Sequence, residues 1–248
     1  MSETNSVYIA WQDPDVHKWH VVGVLTQRGD GFLFRYTWGA YASKKFMPFS
    51  GMDDLKLKYF SAELFPLFKN RLLSRKRPEY PHYLQWLGLT DSEANPIDLL
   101  ARSGGLRGTD NLQMFRRFDV AADGTFSHIM FAHGLAYLSR SAQQRVLELR
   151  SGEQLYFCKD IQNPHDPNAL IVRAGNPAEI VGYCPRYLAE DLSLLLNDPQ
   201  CYVKVYVEAL AASAPENYKL MCKIKGQMTA ELSQRFHSAL EFQVVEDA

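Results

Sequence analysis

Three segments decide the fold of the second half of this chain: His133-Gly-Leu-Ala-Tyr137, Cys158-Lys-Asp-Ile-Gln-Asn-Pro-His-Asp-Pro-Asn-Ala-Leu-Ile-Val172 and Ile180-Val-Gly-Tyr-Cys-Pro-Arg186. Two apolar runs typical of β-strands, Leu155–Cys158 and Ala169–Val172, flank the polar turn Asn163-Pro-His-Asp166. Proline fixes φ, and Asn and Asp side chains bond neighbouring backbone, so this turn is well defined. The pattern predicts a strand, a turn, two further strands and then a leucine-rich helix.

These residues, in this order, resemble a HIRAN domain. The likeness rests on Gly134-Leu135-x-Tyr137, on the Asn163-Pro-x-Asp-x-Asn-Ala169 turn and on Gly182-Tyr-x-Pro-Arg186 at the start of a helix. It covers roughly residues 126 to 226. The resemblance implies a small β-barrel-like module that binds single-stranded DNA at a free 3′ end.

The resemblance also implies where DNA is bound. The contact residues would be Tyr137, Asn163, His165, Asp166, Tyr183 and Arg186, with Lys159 and Lys204 as supporting cations. This chain has Ala136, Tyr137 and Leu138 after the Gly-Leu pair, where the animal protein of this family has an Arg and two aromatic residues. His165 replaces an aromatic residue in the turn, although imidazole also stacks on bases. We therefore expect modest affinity.

Each contact residue has a structural alternative. Tyr137 is either a stacking ring or a core tyrosine, and Asn163 shapes its own turn, contacts DNA, or does both. Asp166 either accepts a hydrogen bond from a terminal 3′-hydroxyl, while repelling a 3′-phosphate, or only stabilises its turn. Tyr183 and Arg186 mark the strand-to-helix junction, where Arg186 and the helix N-terminal N–H groups are suited to hold a phosphate.

The N-terminal half is organised differently. It begins with three β-rich runs, Val7–Trp11, His20–Leu25 and Phe32–Trp38, of which the last two are joined by the hairpin turn Gln27-Arg-Gly-Asp-Gly31. Helical spacing then predicts helices from Ser61 through Leu72, over Tyr80–Leu87, and over Pro96–Arg102, the last with Asn95 as its cap and Gly104-Gly105 at its end.

This half resembles the N-terminal subdomain of HipA-type serine/threonine kinases. The likeness spans about residues 7 to 118 and rests on Val22–Leu25, Gly31–Tyr36, Phe46–Phe49 and Leu64–Leu73. It implies a protein-interaction module that uses either the helix around Phe65, Phe68 and Leu72 or the sheet edge, with a HipA-like kinase as partner. No glycine-rich phosphate loop or catalytic Asp motif follows residue 118, and Ser103–Thr109 has a helix-ending rather than a phosphate-binding pattern, so we expect no enzymatic activity.

Composition narrows the function further. The formal net charge of −1 argues against holding duplex DNA mainly by neutralising phosphates, but it allows recognition of a strand end. The longest apolar runs fall far short of the ~20 residues that span a bilayer. The four cysteines are widely spaced, with no metal-binding pattern, which favours free thiols, no metal or cofactor, and a cytoplasmic location.

The last segments predict a hairpin and a helix. Tyr202–Glu208 and Tyr218–Lys225 alternate as strands, and their lysines, Lys204, Lys219, Lys223 and Lys225, either extend a nucleic-acid surface or protect a sheet edge. Residues 229–241 have Leu232, Phe236 and Leu240 on one helical face, which predicts packing against the sheet.

Together these patterns predict an α+β protein with an interaction region at 1–122 and a HIRAN-like barrel at 123–248. The leading hypothesis is a non-enzymatic bacterial adaptor for 3′-hydroxyl DNA ends, in a toxin–antitoxin or DNA-damage-response setting. The alternative is a regulatory or antitoxin-type protein that binds a HipA-like kinase without binding DNA.

Overall fold

The computed structural model describes residues 5–108, 110–164 and 166–246. The chain divides into two compact units: residues up to Arg117 together with those from His237 onward, and residues Phe118–Phe236. The sequence had suggested a division after residue 122, with residues 237–248 in the second region. Both units combine an antiparallel sheet with helices, so the predicted α+β class is confirmed.

The first unit is built on a five-stranded sheet of order β4-β3-β2-β1-β5. Its strands are β1 (Ser6–Gln12), β2 (Trp19–Arg28), β3 (Gly31–Tyr36), β4 (Tyr59–Ser61) and β5 (Leu112–Phe115). Its helices are α1 (Pro66–Lys69), α2 (Tyr80–Leu87) and α3 (Pro96–Ser103). Arg28 pairs with Gly31, which confirms the two-residue hairpin turn between β2 and β3.

Local signals explain where helix α3 begins and ends. Helix α3 begins where the Asn95 side chain accepts a hydrogen bond from the Asp98 N–H (2.9 Å), and it ends at Gly104, whose φ of 70° suits glycine. The glycine-rich segment after it is held by Arg71, which donates to the Gly105 carbonyl oxygen (2.7 Å). The segment is therefore a helix end and a loop.

The helix predicted from Ser61 is wrong in its extent. Tyr59–Ser61 is the edge strand β4, and α1 covers only Pro66–Lys69. Proline has no N–H to donate and is favoured at the first helical position, so the helix starts at Pro66 and not before it.

One of the predicted interaction residues of this segment lies in the hydrophobic core, and the other two pack against it. Phe68 is fully buried, and Phe65 and Leu72 pack partly against the same core. The ring of Phe68 lies 5.8 Å from that of Phe34 and 6.2 Å from that of Phe65, centroid to centroid. The helical apolar face thus covers the sheet, so Phe68 is not part of an exposed surface.

Main-chain bonds tie the C-terminal residues to the first unit. The Val245 N–H donates to the Tyr36 carbonyl oxygen (3.0 Å), and the Trp38 N–H donates to that of Gln243 (2.9 Å). The helix before Leu240 ends at Ser238, and the Leu240 side chain is exposed. The predicted packing of Leu240 on the sheet is therefore wrong.

The second unit contains a seven-stranded sheet of order β10-β9-β8-β11-β12-β7-β6. Its strands are β6 (Asp119–Val120), β7 (Thr125–Phe131), β8 (Gln154–Lys159), β9 (Leu170–Ala174), β10 (Ile180–Tyr183), β11 (Tyr202–Leu210) and β12 (Leu220–Gln227). Its helices are α4 (Arg140–Glu148), α5 (Arg186–Asn197) and α6 (Ala230–Ser238).

The sheet of the second unit is not the closed barrel that the sequence had suggested. Its outer strands are β6 and β10, and one isolated bridge, between His133 just after β7 and Tyr183 in β10, joins residues from distant parts of the strand order. Leu192 of α5 and Phe236 of α6 pack in the core with Val205 and Ile224 of the sheet. Within the described residues, no helix is both long and apolar enough to cross a bilayer.

Helix α4 was not predicted because most of its residues are polar. Its start is nevertheless well defined, since the Ser139 hydroxyl accepts a hydrogen bond from the Ala142 N–H (3.2 Å). Arg145, a residue of this helix, is buried and forms an ion pair with Glu153.

Candidate nucleic-acid interface

The strand-to-helix junction is as predicted. Tyr183 is the last residue of β10, and Arg186 is the first residue of α5, with Pro185 as the helix N-cap. The Cys184 N–H donates to the Leu170 carbonyl oxygen (2.8 Å), which fixes the backbone between them. Arg186 therefore stands at the N-terminus of a twelve-residue helix, where N–H groups and the helix dipole favour an anion.

The bridge to His133 brings the Gly-Leu-x-Tyr segment to this junction. His133 and Tyr183 exchange two main-chain hydrogen bonds (2.8 and 2.9 Å). Gly134 follows with φ of 74°, and a Cβ placed on it would lie 3.3 Å from the Tyr183 ring. Glycine thus permits both the turn and the close approach of the ring.

A short 3-10 turn presents Tyr137 to solvent. Leu135 at its start is buried, and Leu138 after it packs against the core, whereas the Tyr137 side chain is 94% exposed. Ala136 is also exposed. Tyr137 is therefore not a core tyrosine, and its ring is accessible for stacking.

Asp160 connects the polar turn to the junction. Its Oδ2 accepts hydrogen bonds from the Asn163 amide (3.1 Å) and from the Tyr183 hydroxyl (3.2 Å). Asn163 Oδ1 in turn accepts from the Asp166 N–H (3.1 Å), so Asn163 shapes the turn as predicted. Burial, followed by the nearby Asp160 charge, raises the pKa of Tyr183, which keeps its hydroxyl protonated as the donor.

Asp166 combines a turn contact with a cationic neighbour. Its Oδ1 accepts a hydrogen bond from the Asn168 N–H (2.9 Å), and its Oδ2 lies 3.9 Å from Arg186 Nε. Each carboxylate oxygen has two acceptor sites, so the turn bond leaves acceptor capacity on Asp166. Asp166 is a turn residue whose other oxygen lies near the Arg186 side chain.

The other predicted contacts are distributed unevenly. His165 lies outside the described residues. Lys159 is exposed at the end of β8, next to Asp160. Lys204 is not part of this cluster, because β11 pairs with β8 at Gln154 and Leu155, toward the opposite end of β8. Continued by one residue, this register places Lys204 level with Tyr156, three residues or roughly 10 Å from Lys159 at ~3.3 Å per residue.

Sequence reasoning missed Asp160, Ile161 and Tyr218. Ile161 is an apolar residue, 90% exposed, directly after Asp160. Tyr218 ends a 3-10 turn that lies beside the turn of Tyr137, and its ring packs on Phe131 at 5.6 Å. An isoleucine inside an otherwise polar turn was a readable signal, whereas the position of Tyr218 depends on long-range packing.

The described residues contain neither a metal-binding cluster nor an activated thiol at Cys222. Within the described residues, no group of three or more His, Cys, Asp or Glu side chains could hold a metal ion. The four cysteines are free thiols, and burial raises the pKa of Cys222 to about 12. That thiol is therefore protonated at neutral pH.

Comparison with known proteins finds a family match within the second unit. Residues 125–229 match the family model of the HIRAN domain. The HIRAN-like region predicted at about 126–226 is confirmed, and the matched range contains all the predicted DNA contacts. The match includes nothing before residue 125, so the likeness of the N-terminal half to HipA kinases remains a prediction.

Two solved structures are similar to the chain. The HIRAN domain of human HLTF is 18% identical, with 50% of this chain and 98% of that chain covered and a TM-score of 0.37. A structural-genomics protein from Lactobacillus plantarum is 18% identical, with 42% of this chain and 100% of that chain covered and a TM-score of 0.34. No protein with a curated description matches the sequence.

Proposed function

We propose that the HIRAN domain binds single-stranded DNA at a 3′-hydroxyl end, the ligand that the family likeness implies. The observation that carries the proposal is the Asp166–Arg186 pair, 3.9 Å apart at the start of α5. It sets a hydrogen-bond acceptor beside a cation, which suits a terminal nucleotide with a free hydroxyl and a phosphate on its other side.

The surrounding groups complete this proposed site. Tyr137 offers an exposed ring to a base, and base–aromatic stacking is typically worth ~1–3 kcal/mol. Arg186 and the first N–H groups of α5 hold the phosphate that precedes the terminal nucleotide. A phosphate placed at the 3′ end would instead meet the negative charges of Asp166 and Asp160.

Asp166→Asn tests the end preference. The unaltered protein should bind a short strand with a 3′-hydroxyl roughly tenfold more tightly than the same strand with a 3′-phosphate, because unit charges ~4 Å apart repel by about 1 kcal/mol in water and more near a protein. The asparagine keeps an acceptor for the Asn168 N–H but has no charge. We therefore expect the variant to gain affinity for phosphate ends and to lose the preference, as measured by fluorescence anisotropy.

Asp198→Asn is the matched control. Asp198 also accepts a main-chain bond two residues ahead, from the Gln200 N–H (2.8 Å), but it lies at the other end of α5. This variant should keep the preference for hydroxyl ends. Equal binding of the two ends by the unaltered protein would refute the end-reading function.

We propose further that the whole chain is an adaptor without catalytic activity, and that its first unit binds a protein. A HipA-like kinase is the partner that the sequence likeness suggests. With Phe68 in the core, the exposed aromatic pair Trp38 and Tyr41, whose rings lie 5.5 Å apart, is the better candidate surface. Trp and Tyr are common among residues that dominate binding energy at interfaces.

Trp38→Ala tests this partner surface. Hot-spot aromatic residues contribute ~2 kcal/mol or more, so the variant should bind a co-expressed HipA-like kinase about 30-fold more weakly in a titration. Leu57→Ala, at an exposed apolar residue of the same unit, should bind normally. Failure of the unaltered protein to bind the kinase would exclude this partner, and autophosphorylation by the pure protein would exclude the non-enzymatic adaptor.

A further inference from the structure

The central hairpin of the second unit has a basic and aromatic outer face. In the β11–β12 register, Lys204 stands opposite Lys225, and Tyr206 stands opposite Lys223. Tyr202, at the start of β11, is half exposed on the same side. The alternate residues Val205, Val207 and Ile224 are buried in the core, so the lysines and tyrosines point away from it.

This position excludes edge protection as the role of the lysines. Strand β11 lies between β8 and β12, and β12 lies between β11 and β7, so neither strand is at an edge. Of the two readings that the sequence allowed for Lys204, Lys223 and Lys225, edge protection is therefore wrong. A row of lysines in the middle of a sheet needs another explanation.

A contribution to the stability of the sheet does not explain these lysines. Like charges directly opposite on neighbouring strands destabilise a sheet, and Lys204 and Lys225 are such a pair. Glu208 lies 3.9 Å from Lys223, but within the described residues neither Lys204 nor Lys225 forms an ion pair. Another carboxylate on this side is that of Asp119 on β6, which stands opposite Ser127 of β7. A bound polyanion would relieve the repulsion between Lys204 and Lys225.

Aromatic and basic residues continue across the neighbouring strands. Tyr206 pairs with Gln154 of β8, and Tyr156, two residues further along the same side of β8, pairs with Arg173 of β9. The Arg173 guanidinium lies 5.1 Å from the centre of the Tyr156 ring. Interleaved rings and cations on an open sheet face suit single-stranded nucleic acid, because the rings stack on bases and the cations contact phosphates. An acidic protein surface would need the cations but not the rings.

We propose that this outer face is a second binding site for single-stranded nucleic acid. Lys204, Lys223 and Lys225 contact phosphates, and Tyr202 and Tyr206 stack on bases of the internal part of a strand. The proposal extends the proposed end-binding function. Because this face lies level with Gln154 to Tyr156 of β8, whereas the end site lies beyond Lys159, at least three residues or roughly 10 Å further along at ~3.3 Å per residue, only a strand of several nucleotides reaches both sites.

The triple variant Lys204→Gln, Lys223→Gln, Lys225→Gln tests the second site. The probes are 3′-hydroxyl strands of about 5 and about 20 nucleotides and a circular single strand, which has no end; single OB-fold sites of ~4–16 nucleotides set this scale. The unaltered protein should bind the long and circular strands more tightly than the triple variant does. Three lost phosphate contacts should reduce the slope of log affinity against log salt by about 2 for those strands.

Two controls separate this site from the end site. The triple variant should bind the 5-nucleotide strand normally and keep its preference for a hydroxyl end. Replacement of three exposed lysines of the first unit, Lys44, Lys56 and Lys58, by Gln removes the same charge and should leave all binding unchanged. The midpoint of urea unfolding of the triple variant should stay the same or rise, since a like-charge pair is removed.

The alternatives give different results. Identical binding of the long and circular strands by the triple variant and the unaltered protein would overturn the second site, whatever the end preference. A Tyr202→Ala, Tyr206→Ala variant should bind the circular strand more weakly while binding heparin, a polyanion without bases, as before. If this tyrosine variant binds the circular strand normally, the face is a general polyanion or acidic-protein surface and the proposal fails.

Discussion

Phe68→Ala is expected to lower the free energy of unfolding of the first unit by about 3–5 kcal/mol. The cost follows from removing a large ring that is fully buried, because the surrounding side chains close only part of the cavity. Phe34 and Phe65 lose their ring contacts at the same time. A decrease of this size is a large part of the ~5–15 kcal/mol that stabilises a typical domain.

Tryptophan fluorescence during urea unfolding measures this effect in the correct unit. All four tryptophans, at positions 11, 19, 38 and 86, belong to the first unit. Phe60→Ala is the matched control, because Phe60 is exposed on the edge strand β4 and should cost less than about 1 kcal/mol. An unchanged unfolding midpoint for Phe68→Ala would mean that Phe68 is on a surface, as the sequence had suggested.

Phe68 also shows what a sequence pattern leaves open. Apolar residues at helical spacing predict an apolar face, but they do not distinguish a face that packs on the protein's own sheet from one that binds a partner. That distinction depends on Phe34 and the rest of the sheet, which lie far away in the sequence. The first three strands, β1 to β3, were predicted more reliably, because β-rich runs and the Gly29-Asp30 turn are local signals.

In the candidate site, too, the contacts between residues close in sequence were predictable, whereas the long-range contacts were not. The Asn163–Asp166 turn was readable because its hydrogen bonds join residues three apart or fewer. The bond from the Tyr183 hydroxyl to Asp160 spans 23 residues, and the His133–Tyr183 bridge spans 50, so neither has a local signature. Lys204 shows the same limit, since strand alternation placed it on an outer face but strand order decided which surface it joins.

Acidification from pH 7 to pH 5 is expected to lower the free energy of unfolding of the second unit by about 2 kcal/mol through His133, because burial lowers the pKa of this side chain to about 4. An unfolded histidine has a pKa of ~6.5. Between these two values, the unfolded chain binds a proton at His133 that the folded chain does not bind. Stability is therefore complete above about pH 6.5 and decreases as the pH falls toward 4.

The decisive comparison is between the unaltered protein and His133→Gln, which cannot titrate. Urea unfolding, followed by far-ultraviolet circular dichroism at pH 7 and pH 5, should show this decrease in the free energy of unfolding for the unaltered protein. For His133→Gln most of the decrease should be absent. His82→Gln, at an exposed histidine of the first unit, should behave like the unaltered protein. An NMR titration of the His133 ring gives its pKa directly, and a value near 6.5 would contradict the expectation.

Protonation of His133 should also affect the proposed site, because the main chain of His133 is hydrogen-bonded to that of Tyr183. Opening of this bridge separates the turn that carries Tyr137 from the start of α5, which carries Arg186. Affinity for a short 3′-hydroxyl strand should therefore decrease below about pH 5 in the unaltered protein, as proton binding to His133 favours the opened form, and should decrease less in His133→Gln. If both proteins lose affinity equally, protonation acts elsewhere in the site, and His133 contributes to stability alone.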